Sequence, residues 1–267
     1  MSFQAEQHYK TQLIKEAFDL HGLSLPSELN VVTDGNDYGY RNKIEFSWYS
    51  ELDEKTGLDS LDLAFYKRGS RGKVIVEGST LANENINILA RNIRDLLRRK
   101  KVSARSLKTL LIRSDRDGNS AWQLYTKDNS PDLITKSEAA KLPAQGGEII
   151  FSNPKSPASV ITERLAQFGD LTLADRILST SFRYAIESFF QVNIPVYELA
   201  LKDMAKWVPD SKDTKQVVDL YSGVGTIGLT IGGKNVTLVE INQAAVREME
   251  RNISSLGITA TPVLASS

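Results

Sequence analysis

Cysteine is absent from the 267 residues, so disulfides, thiolate metal sites and a cysteine nucleophile within this chain are all excluded. Histidine is nearly absent too: only His8 and His21 occur, too few for a histidine-built metal centre. Both histidines read as structural, His21 in the last turn of a helix. No apolar run approaches the roughly 20 residues needed to span a bilayer. The first residues (Met1-Ser2-Phe3-Gln4-Ala5) lack the apolar stretch of a secretion signal. Charge of one sign is not in excess either, with 33 Lys and Arg against 33 Asp and Glu. Taken alone, that balance argues against a polyanionic partner.

The balance conceals an asymmetry. Between Leu61 and Lys108 the sequence has twelve basic residues and four acids, a local excess of 12 − 4 = +8. A neutral protein with such a stretch can still present a face that neutralises phosphates. The densest part is Lys67-Arg68-Gly69-Ser70-Arg71-Gly72-Lys73, a loop after a predicted strand. Its neighbours Phe65 and Tyr66 are suited to stacking on unpaired bases, so Lys67, Arg68, Arg71 and Lys73 are candidate RNA contacts. A solvated hairpin loop is the other reading. Arg98 to Lys101 close a helix, where cations complement the dipole without any ligand.

Hydrophobic periodicity predicts helices over 8–20 and 85–99. Period-two alternation predicts strands over 43–48 and 61–66, separated by a polar, turn-like stretch at 51–60. Strands 107–112 and 121–125 form a hairpin around Asp117-Gly118-Asn119, and 148–151 and 181–186 are further strand candidates. Residues 1–180 therefore read as a mixed, largely antiparallel α+β unit. From 181 to 267 the texture is βαβαβ: a helix over 194–208, then strands 216–221, 236–240 and 259–265 around a helix over 244–254. That order implies a parallel, doubly wound sheet of Rossmann-like type.

Gly223-Val224-Gly225-Thr226-Ile227-Gly228 lies between the first of those strands and a helix. Glycines let the backbone pass close to a ligand, and a helix N-terminus favours an anion. Glu240 ends the next strand, where a carboxylate can accept hydrogen bonds from both ribose hydroxyls. A dinucleotide loop would place its first glycine directly after the strand. Here Asp219 precedes Gly223 by four residues, a spacing that favours S-adenosylmethionine (SAM) over NAD. A tight packing turn without ligand is the remaining alternative.

Asp219-Leu220-Tyr221-Ser222-Gly223-Val224-Gly225-Thr226 together with Val239-Glu240-Ile241 resembles the RNA uracil-C5 methyltransferases, which form 5-methyluridine in ribosomal or transfer RNA. Ser188-Phe189-Phe190-Gln191-Val192-Asn193 and Tyr38-Gly39-Tyr40-Arg41-Asn42-Lys43 resemble two further signatures of that family, with weaker echoes at Gln7-His8-Tyr9 and Val76-Glu77-Gly78-Ser79. The resemblance implies SAM as cofactor, contacted by Gln191, Tyr221, Thr226 and Glu240. It implies a cytoplasmic enzyme whose partner is rRNA or tRNA. The family attacks uracil C6 with a cysteine thiolate to make C5 nucleophilic, and a carboxylate base then removes the C5 proton. Its Asp-Pro-Pro-Arg-like and Ser-Cys-Asn-Pro-like segments follow the glycine loop but do not occur here. No catalytic residue is therefore expected in this chain, which reads as cut short after Glu240. The resemblance instead puts the cysteine nucleophile beyond Ser267. Ser79 and Ser222 stand where relatives often carry cysteine, and no iron–sulfur cluster is expected. Two other readings stay open: a non-catalytic RNA-binding module, and a methyltransferase acting on a substrate other than RNA.

Overall fold

The structure is a computed structural model, described for residues 2–25, 27–52, 59–208, 216–233 and 235–266. Positions 53–58, within the predicted 51–60 turn, lie outside the described residues. Ser267 lies outside them as well, so the cysteine expected beyond it stays an implication of the resemblance. Among those described, no helix is long and apolar enough to cross a membrane.

Helix α1 (Phe3–Leu20) begins five residues earlier than its periodicity suggests, because the Ser2 hydroxyl caps it by accepting from the Ala5 N–H. It ends at His21 and Gly22, the latter at φ +64°. None of its side chains is buried; Leu13 and Leu20 are 65% and 84% exposed. The expected core-facing stripe thus faces solvent among the described residues.

Seven strands form the main sheet: β1 (Lys43–Leu52), β2 (Asp59–Tyr66), β3 (Lys73–Ile75), β4 (Leu107–Ser114), β5 (Ser120–Thr126), β6 (Gly146–Phe151) and β7 (Glu163–Gly169). Their order is β3-β2-β1-β4-β5-β6-β7, antiparallel except for the β5–β6 pair. The β4–β5 turn is held by Asp115, whose carboxylate accepts from the Asp117 and Asn119 N–H groups, with Gly118 at φ +90°. Helix α2 (Glu84–Arg99), capped by Asn83, buries Ile86, Leu89, Ile93 and Leu97 against one face of this sheet. That face is built by Ile44, Phe46, Trp48, Leu110, Ile112, Trp122 and Leu124. Strand parity sends the intervening residues the other way. Leu111, Arg113, Tyr125 and Ile150 therefore meet a second core, whose cover begins with the hairpin β8 (Thr172–Ile177) and β9 (Thr180–Ala185). Covering on both faces explains why β4 and β5 read as near-continuous buried runs.

Sequence patterning missed β3, β7 and β8, the first because Lys73 read as part of a loop. Strand β7 is a polar edge strand with a largely exposed face. In β8 the inward positions are Leu173, Asp175 and Ile177, so a charge breaks the apolar alternation. Asp175 is tolerated there because its carboxylate accepts from the Tyr184 hydroxyl at 2.6 Å and the Arg116 N–H at 3.0 Å. A short helix, α3 (Lys136–Ala139), lies in the β5–β6 crossover behind a Thr135/Glu138 capping box.

Helix α4 (Ile194–Ala205), capped by Asn193, leads to β10 (Val217–Leu220), α5 (Thr226–Ile231), β11 (Val236–Glu240), α6 (Gln243–Leu256) and β12 (Ala260–Leu264). The three strands are parallel in the order β10-β11-β12. This is the expected Rossmann-like βαβαβ unit, and α6 packs it onto β9.

Candidate functional site

The glycine loop leaves β10 through Tyr221, which adopts φ +58°. A tyrosine in that region is strained by about 1–3 kcal/mol, a cost usually tolerated where geometry serves a site. Tyr221 is 77% exposed, so core packing does not account for it. The three glycines divide in role. A Cβ on Gly228 would run into Leu238 and Val236, and one on Gly225 into Leu229 at 2.9 Å. Both are packing glycines. Gly223, at φ +57°, would place a Cβ no closer than 3.7 Å to anything, with Phe189 O the nearest atom. Only there does the backbone face open space.

Asp219 explains its own spacing. Its Oδ2 accepts from the Gly228 N–H at 2.9 Å, filling the first turn of α5 with a carboxylate from inside the protein. Burial pushes the Asp219 carboxyl up, while the Gly228 hydrogen bond works against that shift. The helix is six residues long, its third N–H, that of Gly228, is taken, and the Thr226 hydroxyl is engaged with the Tyr197 hydroxyl at 2.8 Å.

Glu240 reaches back over the loop. One carboxylate oxygen accepts from the Gly223 N–H at 2.9 Å and the other from the Asn242 N–H at 2.8 Å. Each oxygen keeps lone-pair capacity for a further donor, as a ribose diol would supply. Gln191 lies on the segment before α4, two residues after Phe189, whose carbonyl is the nearest atom to a Cβ on Gly223. The Gln191 carbonyl accepts from the Asn42 side chain at 2.9 Å, and the Asn42 N–H donates to Val192 O at 3.1 Å. Asn42 thus stitches together the two motifs at 38–43 and 188–193, which lie about 150 residues apart in the chain. The side chain of Gln191 has no hydrogen bond among the described residues and is half-buried.

Asn252 gave no signal in the sequence, where it reads as an ordinary polar position on α6. It is fully buried. Its side chain accepts from the Arg183 N–H at 2.8 Å and donates to Arg183 O at 3.0 Å and Val224 O at 3.2 Å. One amide thereby clamps β9 to the glycine loop. Replacing it by alanine strands three backbone groups, at about 1–3 kcal/mol for each buried group left unpaired. We expect Asn252→Ala to lower the thermal midpoint and weaken cofactor binding several-fold, measured by calorimetry; an unchanged affinity would show that the loop holds its shape without the clamp.

Beside the loop lies a cleft of about 830 Å³, bordered by Arg41, Lys43, Glu45, Arg113, Glu187 and Phe189 among others. Arg113, on β4, is only 1% exposed, and its Nε and Nη1 have no hydrogen-bond partner among the described residues. Its guanidinium stacks 5.3 Å from the Tyr184 ring centre. Burial lowers it to about 10, so it remains a cation at neutral pH.

Half of the twelve cations of the basic stretch are engaged with the protein itself. Arg91 pairs with Glu84, Arg94 with Glu77 and Asp95, Arg98 with Asp62, and Lys100 with Glu138. Lys108 is ringed by Ser152, Asn153 and Ser156 oxygens. Lys73 donates to Trp48 O at 2.7 Å and lies 5.0 Å from the Tyr66 ring centre, a cation–π contact. Lys67, Arg68 and Arg71 project from the β2–β3 loop as expected and are exposed. Of the two aromatic neighbours, Tyr66 is 61% exposed while Phe65 stacks on Phe46 at the core's edge. Tyr66 thus faces solvent, whereas Phe65 borders the cleft.

No protein-family profile matches the chain. An RNA methyltransferase of Fusobacterium nucleatum, not further characterised, is 27% identical over 97% of this chain and 57% of that protein. One of Streptococcus mutans is 25% identical over 97% of this chain and 59% of that protein. The chain thus spans a little over half the length of these curated relatives. Among solved structures, the tRNA (uracil-54, C5)-methyltransferase of Pyrococcus abyssi in complex with S-adenosyl-L-homocysteine superposes with a TM-score of 0.74. It is 18% identical and covers all of this chain and 64% of that one. The two share a fold.

Proposed function

We propose that this chain provides the RNA-contacting part (1–180) and the cofactor-holding part (181–267) of a SAM-dependent RNA methyltransferase acting on uracil C5. The carrying observation is the loop itself: an outward Gly223, a strained and exposed Tyr221, and Glu240 poised over both. SAM fits this donor set better than a dinucleotide. At the helix N-terminus that a pyrophosphate would use, the Gly228 N–H is already taken by Asp219, whose carboxylate would repel a second anion there. Glu240 would accept from the ribose hydroxyls, Tyr221 and Gln191 would line the opening, and Thr226 would support it through Tyr197. Bound SAM supplies an electrophilic methyl group. The rest of what this chain does is to hold that group still and place RNA against it, which supplies proximity rather than a nucleophile. A thiolate to activate uracil cannot come from these 267 residues, which include no cysteine.

The alignment with RNA methyltransferases along nearly the whole chain supports RNA as substrate, as do the exposed cations of the β2–β3 loop. Calorimetry with SAM tests the cofactor assignment. Saturable binding is expected, and its absence in a chain shown to be folded would favour the non-catalytic RNA-binding module. In methyl transfer from labelled SAM to uridine-containing RNA, this chain alone is expected to give no product; 5-methyluridine would overturn the thiolate requirement.

A further inference from the structure

The cleft beside the glycine loop has unspent hydrogen-bonding capacity of one kind. Arg113 has two buried N–H donors without acceptors, Nε and Nη1. Arg41 Nε and the Ser188 hydroxyl, which belong to residues lining the same cleft, are likewise buried and unpaired among the described residues. A buried donor left unsatisfied costs about 1–3 kcal/mol, more when charged, so four together call for a ligand rather than chance. The acceptors on the walls are already committed. Glu45 is paired with Lys43 at 2.9 Å and accepts from the Ser159 hydroxyl at 2.8 Å. Glu187 is paired with Arg164 at 2.7 Å and accepts from Gln123 at 3.3 Å. The cleft therefore needs a ligand that is rich in acceptor oxygens and carries negative charge.

Position narrows the chemistry. Ser188 and Phe189 belong to the segment whose carbonyl lies nearest Gly223, so an anion here would sit next to the cofactor loop. A volume of about 830 Å³ admits a nucleotide with its flanking phosphate. Chemistry on a base within structured RNA requires that base to swing out about its backbone, and the flanking phosphate must be gripped while it does. Guanidinium groups are suited to that grip because they present paired donors to phosphate oxygens.

We propose that Arg113, with Arg41 and Ser188, forms a phosphate site for the RNA backbone beside the methylated nucleotide. This rests on the RNA-methyltransferase reading above. It separates two kinds of contact. The β2–β3 loop supplies exposed, interchangeable charge, whereas Arg113 supplies a fixed, desolvated anchor that sets where the backbone turns.

The test is fluorescence anisotropy of a labelled uridine-loop RNA hairpin with this chain, titrated between about 50 and 200 mM salt. Arg113→Met and Arg41→Met are compared with wild type, and circular dichroism confirms their fold. Each is expected to weaken binding on the order of tenfold, the low end for losing a hydrogen bond to a charged group. The salt slope should become shallower by about 0.7–0.9, one phosphate contact. If Arg113→Met does not fold, Arg41→Met decides on the same criteria. Variants that bind with wild-type affinity and slope overturn the phosphate site and leave the methyltransferase reading standing. Wild-type protein that fails to bind the hairpin removes both. Inorganic phosphate is expected to compete with the RNA. Phosphate that binds wild type but leaves RNA affinity untouched would assign the site to a free anion and overturn the proposal.

Discussion

Replacing Glu240 by alanine is expected to reduce SAM affinity at least about 100-fold, corresponding to two charge-assisted hydrogen bonds of roughly 1.5 kcal/mol each. Glu240 is placed to act twice. It would receive the ribose hydroxyls, and it already holds the Gly223 and Asn242 N–H groups. The two roles separate experimentally. Glu240→Gln keeps one acceptor oxygen and is expected to lose about tenfold. Amide hydrogen exchange at Gly223 and Asn242 reports the loop directly. Faster exchange at both in Glu240→Ala would show that the carboxylate shapes the loop as well as binding the ligand. Unchanged SAM affinity in Glu240→Ala would refute the cofactor assignment, because no other carboxylate on this loop is free to take the ribose: Asp219 is committed to Gly228.

The second large effect concerns stability. Glu148 is fully buried on β6, where sheet register sets it beside Gln123. Its carboxylate accepts from Gln123 at 3.0 Å and, through both oxygens, from Arg164 Nη1 at 2.6 and 2.7 Å. Arg164 also reaches Glu187, just ahead of the segment that carries Phe189 and Gln191. Arg164→Ala would leave a buried carboxylate with one neutral donor. That loss costs about 3 kcal/mol, the lower edge for breaking a buried pair, because Arg164 is itself 46% exposed. Urea unfolding measures it. The double variant Arg164→Ala/Glu148→Gln is expected to recover most of the loss, since a neutral amide needs no counter-charge. If it recovers nothing, Arg164 stabilises through packing of its stem instead. Freed from Arg164, Glu187 no longer pins segment 188–193, and SAM affinity should fall several-fold alongside stability.

Local rules made much of this molecule legible. The helix over 84–99, the turn at Asp115–Asn119 and strand 236–240 follow from caps, positive-φ glycine and apolar runs. Those signals act within a few residues. The glycine loop and Glu240 were legible for the same reason. Where local rules failed, a long-range partner had overridden them. Strand β8 carries Asp175 inward because Tyr184 and the Arg116 N–H receive it. The α1 stripe is apolar yet uncovered among the described residues. The +8 excess already discounts the four acids, but it could not foresee that Lys100 pairs with Glu138 from outside the stretch or that Lys73 and Lys108 are tied to oxygens of the protein.

By itself, then, the sequence determined the strongly patterned helices and strands, the parallel unit at the C-terminal side, and the glycine loop with Glu240 after it. Tertiary structure alone decided which polar groups are spent and which are left over. Asn252 reaches Arg183 across 69 positions, and Glu148 meets Arg164 across a sheet edge. Arg113 points into the second core because of strand parity, and only the assembled walls show that it has no acceptor there among the described residues. Hydrogen-bond satisfaction depends on which atoms meet after the sheet closes, and no window of neighbouring residues encodes that.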